Sequence, residues 1–243
     1  MAGKVVLVTG GGRGIGAASA RMLAAQGWRV VINFRNDQGA AEATASTIQA
    51  AGGEAITIQA DTGDPAAVQT MFETLDRTWG RLDALVNNAG IVGPRGSFSN
   101  VSLQDMEDVL KVNVIGYMMC IQAAIPRMLK VGGGAIVNVS SGAATQGGGG
   151  ENVLYAVSKG AVNSLGIGLG VELARIGIRV NTVSPGLTRT DMPPLEKLES
   201  QGPGIPMGRV GEPEEVAAGI VWLLSEQASW TAGANLRISG GRP

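Results

Sequence analysis

Short apolar runs alternate with longer amphipathic stretches along the whole chain. Seven runs, at 4–9, 29–34, 54–59, 82–87, 134–140, 178–184 and 235–238, hold four to seven residues each and are often Val and Ile. Apolar residues at successive rather than alternate positions predict strands covered on both faces. Between the runs, residues 14–26, 38–51, 66–79, 103–130, 155–176 and 212–224 carry apolar side chains at helical spacing. Strand–helix alternation of this kind predicts an α/β fold: a doubly wound parallel sheet of about seven strands with helices on both faces. No linker, fixed-period repeat or charge run divides the chain, so a single domain over 1–243 is expected. The one low-complexity patch, 147–150, is four glycines and reads as a loop.

Composition narrows the chemistry. Apolar residues make up 44% of 243, enough for a sizeable core. There is no histidine, which excludes Ser-His-Asp and Cys-His catalysis and zinc sites that need imidazole. Cys120 is the single cysteine, so no intrachain disulfide and no cysteine-cluster metal site can form; no metal is expected. Nineteen basic against twenty acidic residues give a net charge of −1, which argues against a nucleic-acid partner. The start of the chain runs straight into the first apolar run, and the aliphatic run at 217–224 is too short to span a bilayer. A cytoplasmic protein with no membrane partner is expected. Proton transfer must then fall to Tyr, Lys, Ser, Asp or Glu, or to a bound cofactor.

The first run leads into Thr9-Gly10-Gly11-Gly12-Arg13-Gly14-Ile15-Gly16, where the first helix opens. Glycines there allow a tight turn and let backbone N–H groups approach a pyrophosphate, and the helix N-terminus adds partial positive charge. The spacing Gly10-x-x-x-Gly14-x-Gly16 differs from the common G-x-G-x-x-G, but it lies between the first strand and first helix of a βα series. NAD enzymes place a carboxylate at the end of the second strand for the ribose 2′-hydroxyl. Here no carboxylate precedes Asp37, while Arg35, with Arg13 in the loop, offers guanidinium forks suited to a 2′-phosphate. NADP(H) is therefore the expected cofactor.

Taken in order, these and later motifs resemble the short-chain dehydrogenase/reductase family over nearly the whole chain. The residues that carry the resemblance are Thr9-Gly10-x-x-x-Gly14-Ile15-Gly16, Asp61-Thr62 after the third run, Asn87-Asn88-Ala89-Gly90 after the fourth, and Asn113 in the long helix. They continue with Ser140-Ser141 at the end of the fifth run, Tyr155-Ala156-Val157-Ser158-Lys159, and Pro185-Gly186-Leu187-Thr188-Arg189-Thr190 after the sixth. The resemblance implies a Rossmann fold. It implies cofactor contacts from Gly10, Arg13, Gly14, Ile15, Gly16, Arg35, Asp61, Thr62, Asn87, Ala89, Gly90, Tyr155, Lys159, Pro185, Gly186, Thr188 and Thr190. It makes Tyr155 the general acid/base, Lys159 its partner, Ser141 the carbonyl-orienting hydroxyl and Asn113 the anchor of a water relay to Lys159. Of the two adjacent serines, Ser141 lies nearer the family's distance from the tyrosine; the misfit implies an extra residue in the loop before Tyr155. Other readings stay open for some of these: Asp61 as a helix cap, Asn87 as the close of a strand, Thr190 as a cap within the lid, Asn113 as a buried polar residue bonded to backbone.

The chemistry is self-consistent without histidine. Tyr155 and Lys159 are spaced i, i+4 and share a helix face, so an ammonium beside the phenol is expected to lower its pKa. Residues 188–207 should form a substrate lid with Met192, Pro193, Pro194, Leu195, Leu198 and Met207 on it and Gly202 and Gly204 as hinges, favouring an apolar carbonyl or alcohol substrate. Gly160, Gly166, Gly168 and Gly170 permit close packing of the 155–176 helix. The resemblance implies a homotetramer or homodimer paired through the two long helices. Rival readings are a 3-oxoacyl-[acyl-carrier-protein] reductase, with Arg127 and Lys130 as docking cations, a sugar dehydrogenase, and a non-catalytic NADP-sensing protein.

Overall fold

The protein, described as a computed structural model over residues 3–242, forms all seven expected strands. β1 (Val5–Val8), β2 (Arg29–Phe34), β3 (Glu54–Gln59), β4 (Ala84–Asn87), β5 (Gly134–Val139), β6 (Ile178–Pro185) and β7 (Asn235–Ile238) make one sheet. Their order is β3-β2-β1-β4-β5-β6-β7 and every pairing is parallel. All four side chains of β1 are fully buried because successive residues feed opposite layers. Val6 and Val8 join a core with Val30, Ile32, Val86 and Ile220. Val5 and Leu7 join a second core with Val31, Leu85, Phe72 and Ile121.

Helices cover both faces. α1 (Gly14–Ala25), α2 (Gln38–Ala50) and α9 (Pro213–Leu224) pack on the first core. α3 (Pro65–Trp79), α5 (Gly116–Lys130) and α7 (Val153–Ala174) pack on the second. Their starts follow local chemistry. Asp37 accepts from Ala40 N at 3.0 Å to open α2, and Asp64 caps α3 ahead of Pro65. Ser102 and Asp105 form a reciprocal capping box on α4 (Leu103–Leu110). Two short helices, α6 (Ala143–Gln146) and α8 (Leu195–Gln201), lie outside the six stretches of helical spacing, the second of them in the lid.

The 103–130 stretch differs from the unbroken α-helix its periodicity predicts. α4 and α5 are joined by a π-helical turn at Lys111–Ile115, closed by Gly116 N–H donating to the Lys111 carbonyl. Gly116 passes so close to the Thr62 carbonyl that a Cβ there would stand 2.7 Å from it. By length and composition alone this helix could cross a membrane, yet Val109, Cys120, Ile121, Ala124 and Met128 are core residues. Of the α7 glycines, Gly166 and Gly170 are required: a Cβ would strike Thr182 Oγ1 at the first and the Gly233 backbone at the second. Gly160 and Gly168 face open space, so close packing does not explain them.

The start of β1 is fixed by Asp83. Its carboxylate accepts from Val5 N at 2.8 Å and takes a two-point grip from Arg81, at 2.9 and 2.6 Å. That grip raises the Arg81 pKa. Asp83→Ala strands the buried Val5 N–H and is expected to cost about 2 kcal/mol. Urea unfolding checks this; an unchanged midpoint would show that the pair carries no net stability.

Candidate active site

The strand order reverses at β1, whose neighbours β2 and β4 lead away in opposite directions. In open α/β sheets that switch point leaves a crevice beyond the carboxyl ends of the strands. Here a cleft of about 680 Å³ lies there, and all but three of the residues expected to contact the cofactor or take part in catalysis line it. The glycine loop forms one wall. Gly10 and Gly14 hold φ of +61° and +54°, and a Cβ on Gly10 would stand 3.0 Å from the Ala89 Cα. α1 has no side-chain cap and no acidic residue in its first turn, so no side chain competes for its leading N–H groups. This is a fitting cradle for a dinucleotide pyrophosphate.

Three side chains hold that loop in place: Thr9 and Asn88, which lie in the quoted motifs without an assigned role, and Asn33, which the sequence reading missed. Thr9 Oγ1 accepts from Asn88 N at 2.9 Å and Ala89 N at 3.1 Å. Asn88 Nδ2 donates to the Thr9 and Gly10 carbonyls, both at 3.0 Å. Asn33 Oδ1 accepts from Gly10 N at 3.3 Å, while its amide donates to Ala60 O at 3.0 Å. A polar residue inside the apolar run 29–34 was the available signal for Asn33.

The three exceptions sit behind the wall. Gly16 packs on the Gly10 carbonyl with no space for a Cβ. Asn87, expected to contact the cofactor, is instead fully buried and donates to Asn138 Oδ1 at 3.0 Å. Asn113 is also fully buried, on the π turn. Its Oδ1 accepts from Ile91 N at 2.9 Å and its amide donates to Ile91 O at 2.8 Å and Ser158 Oγ at 3.0 Å.

Tyr155, Ser141 and Lys159 meet at the floor of the cleft. Ser140 turns inward and donates to the Lys159 carbonyl at 2.9 Å, while Ser141 lines the cleft with Tyr155 and accepts from Ala143 N at 3.1 Å. Lys159 is 3% exposed; its ammonium donates to Val139 O at 2.8 Å and Tyr117 Oη at 3.2 Å, and stands 5.8 Å from the centre of the Tyr155 ring. Burial pushes Lys159 down to about 7. Burial also pushes the Tyr155 phenol up, and the Ser141 hydrogen bond pulls it part of the way back. The net direction for Tyr155 is therefore opposite to that expected from its i, i+4 partner. Desolvation dominates, and the ammonium that was to lower it is itself weakened and turned toward Val139 O.

Two arginines line the far end of the cleft. Arg13 Nη1 lies 3.7 Å from Asp191 and 3.9 Å from Asp37, and Arg35 Nη1 lies 3.9 Å from Asp61. These are loose, exposed pairs, worth little and easily exchanged for a phosphate. Asp61 also accepts from Gly63 N at 2.8 Å in a tight turn. Thr190 reaches over Gly14, and Thr188 Oγ1 donates to Gly186 O at 3.1 Å.

The substrate end is more polar than the sequence suggested. Met192 and Pro193 line the cleft, and the Tyr155 hydroxyl lies 4.0 Å from Met192 Sδ. Leu198, however, packs with Ile205 and Val210 in its own small cluster, and Leu195 and Met207 are exposed. Gly202 and Gly204 form a 3₁₀ turn with no positive φ, so neither has the special backbone of a glycine hinge. In place of apolar lid residues the wall carries Glu151, which accepts from Arg95 at 3.0 Å and from Lys197 of α8. Arg95 also donates to the Met192 carbonyl at 3.2 Å. The Lys197 bond, with Arg95 behind it, holds the Glu151 carboxyl below its ordinary pKa.

An open parallel sheet, an anion-ready glycine loop at its switch point and a Tyr-x-x-x-Lys helix beside it define a dinucleotide-linked oxidoreductase. The chain belongs to the short-chain dehydrogenase/reductase family: residues 10–242 match the family model described as enoyl-(acyl carrier protein) reductase. It is 44% identical over 98% of its length to 99% of an uncharacterized oxidoreductase, YgfF, of Escherichia coli K12. A short-chain dehydrogenase from Burkholderia cenocepacia in complex with NADP superposes with a TM-score of 0.93 at 39% identity, covering 99% of this chain and 98% of that one. A 3-ketoacyl-(acyl-carrier-protein) reductase from Brucella melitensis complexed with NADH gives 0.91 at 33% identity, covering 99% and 98%.

The Arg95–Glu151–Lys197 cluster ties the lid to the opposite wall. Because the Glu151 pKa is depressed, the clasp holds above the ordinary carboxylate range and is lost as pH falls through the depressed value. At neutral pH, Glu151→Gln should reproduce that loss and speed limited proteolysis within 190–204 several-fold. A cleavage rate equal to that of the parent protein would mean the lid is held by other contacts.

Proposed function

We propose that this chain is an NADP(H)-dependent oxidoreductase that interconverts a small carbonyl compound and its alcohol, with Tyr155 as general acid/base. The observation that carries the reading is the convergence of the Tyr155 hydroxyl, Ser141 and the buried Lys159 ammonium at the floor of the cleft that begins at the glycine loop. When bound, the nicotinamide supplies or takes up the hydride. Ser141 would donate a hydrogen bond to the substrate oxygen and orient it. As that oxygen gains negative charge, Tyr155 would transfer its proton to it. In the reverse direction the phenolate would accept the alcohol proton. With its pKa raised by burial, Tyr155 is better suited at neutral pH to the acid role, that is, to carbonyl reduction.

Asn113 would act by holding the Ile91 backbone and Ser158 in place, and through them the helix that carries Lys159. The pyrophosphate would lie on Gly10, Gly14 and Ile15, with Thr188 and Thr190 closing over it from the lid and Ala89 and Gly90 behind. Asp61 and Thr62 would flank the adenine, and Pro185 and Gly186 the nicotinamide end. Arg13 and Arg35 favour a 2′-phosphate because both face the cleft with only loose partners. A homotetramer or homodimer fits the exposed apolar side chains Ile115, Met118, Val157, Ile167 and Val171 on the two long helices.

The polar wall around Glu151 favours a substrate that carries hydroxyl or charged groups over a purely apolar ketone. Of the two docking cations of the carrier-protein reading, Arg127 grips Asp76 at 2.9 and 2.6 Å and stacks on Phe72, and neither Arg127 nor Lys130 lines the cleft.

Tyr155→Phe is expected to lower kcat by about 10²–10⁴ with dinucleotide binding kept. Turnover at the parent rate would end the acid/base assignment. Arg35→Ala should weaken NADPH binding by roughly tenfold to a hundredfold and leave NADH almost unaffected. Equal losses for both dinucleotides, measured by fluorescence titration, would remove the case for a 2′-phosphate.

A further inference from the structure

The chain has two tyrosines, and both face Lys159. Tyr155 belongs to the proposed acid/base pair. Tyr117, on α5, is 1% exposed, and nothing in the motif pattern singles it out. Its ring centre lies 5.0 Å from Lys159 Nζ. Its hydroxyl accepts from that ammonium at 3.2 Å and donates to Val139 O at 3.1 Å, the same carbonyl that Lys159 reaches at 2.8 Å. The three groups close a triangle inside the protein.

We propose that Tyr117 is a positioning residue for the reaction: its hydroxyl fixes the Lys159 ammonium beneath Tyr155 and keeps it protonated. The inference rests on the proposed role of Tyr155 and Lys159.

The argument is one of valence. An ammonium has three donors and no acceptor, and out of water each unpaired donor is costly. Val139 O and Tyr117 Oη take two, so the third remains for the reacting end of the site. Among the described residues no carboxylate is paired with Lys159. The titratable groups about it are Tyr155 on its own helix and Tyr117 on α5, with Cys120 beyond Tyr117. Burial drives the Tyr117 phenol well above its ordinary pKa and Cys120 to about 12, so both stay neutral and neither supplies a counter-charge. The protonated form of Lys159 therefore leans on neutral acceptors, and Tyr117 is the one side chain among them. Its placement is local. Asn113 on the π turn bonds to Ser158, and Tyr117, four residues on, bonds to Lys159, so adjacent residues of α7 are held from one segment.

Tyr117→Phe keeps the ring and removes the hydroxyl; Tyr117→Leu removes both. In Tyr117→Phe, kcat for reduction is expected to fall about tenfold, with the dinucleotide dissociation constant within twofold of the parent. The hydroxyl stabilises the charged lysine, so its loss moves the high-pH limb of the reduction profile down by about one unit. The substitution also leaves Tyr155 as the sole tyrosine, so its phenolate can be titrated directly by ultraviolet absorbance to show that the acid is intact. A packing role alone predicts the opposite pattern: Tyr117→Phe at the parent rate with an unmoved pH profile and Tyr117→Leu alone impaired. That result overturns the inference, as does a Tyr117→Phe protein that cannot fold, since the hydroxyl would then be a structural bond. Retained turnover in Tyr155→Phe would instead sink the acid/base reading on which the inference stands.

Discussion

The site depends on keeping one positive charge out of water. Lys159 lies among the side chains that join α7 to the ends of β5 and β6, and a buried ammonium there is tolerated only while its donors are met. The fold supplies two acceptors for the ammonium and an anchor for its backbone. β5 offers the Val139 carbonyl, α5 offers Tyr117, and Ser140 at the end of β5 bonds to the Lys159 carbonyl, fixing the backbone from which the side chain extends. Each bond that holds the ammonium also fixes α7 against the sheet, so the position of Tyr155, one turn earlier, follows from the position of Lys159.

Close approach of backbones makes this geometry available. α7 lies against β6 because Gly166 leaves room for Thr182, and Gly170 leaves room for the turn at Gly233. Gly10 and Gly16 do the same for the first helix and the loop after β4. The glycine content is thus spent partly on phosphate approach and partly on bringing two catalytic walls together. The Thr9–Asn88 bonds then lock those walls, so the cleft is formed by the same contacts that close the sheet at its switch point.

Much of this was legible in the chain. β1, β2, β4 and β5 were readable because each carries apolar residues at successive positions, as a parallel strand covered on both faces does. The loop at Gly10–Gly16, Ser141, Tyr155 and Lys159 were readable because their spacing is local and their order repeats that of a known family. The unread residues depend on neighbours distant in sequence. Tyr117 looked like any aromatic in an apolar helix; its role exists only because Lys159 arrives 42 residues later. The π turn leaves no mark in the pattern, since apolar residues continue on both sides of it. Asn87 turns away from the cleft because adjacent strand residues face opposite sides, so that Asn88 reaches the loop. The lid was read as apolar from composition, but which way Leu195, Leu198 and Met207 point is decided by Val210 and by solvent.

Absence of histidine sharpens the electrostatic logic. In water, the ordinary pKa values of tyrosine and lysine are close, near 10. Burial separates them, raising the phenol and lowering the ammonium to about 7. The site near neutral pH therefore holds a firmly protonated acid above a base that is only partly charged. An oxygen that gains negative charge between Ser141 and Tyr155 changes both balances at once. It offers Tyr155 an acceptor in a medium where the proton has nowhere better to go, and it favours the charged form of the lysine beneath. On the proposed assignment, proton donation and charge compensation would be coupled through one buried pair. Such a pair would give the service that an imidazole gives elsewhere, from desolvation and the two hydrogen bonds of the ammonium.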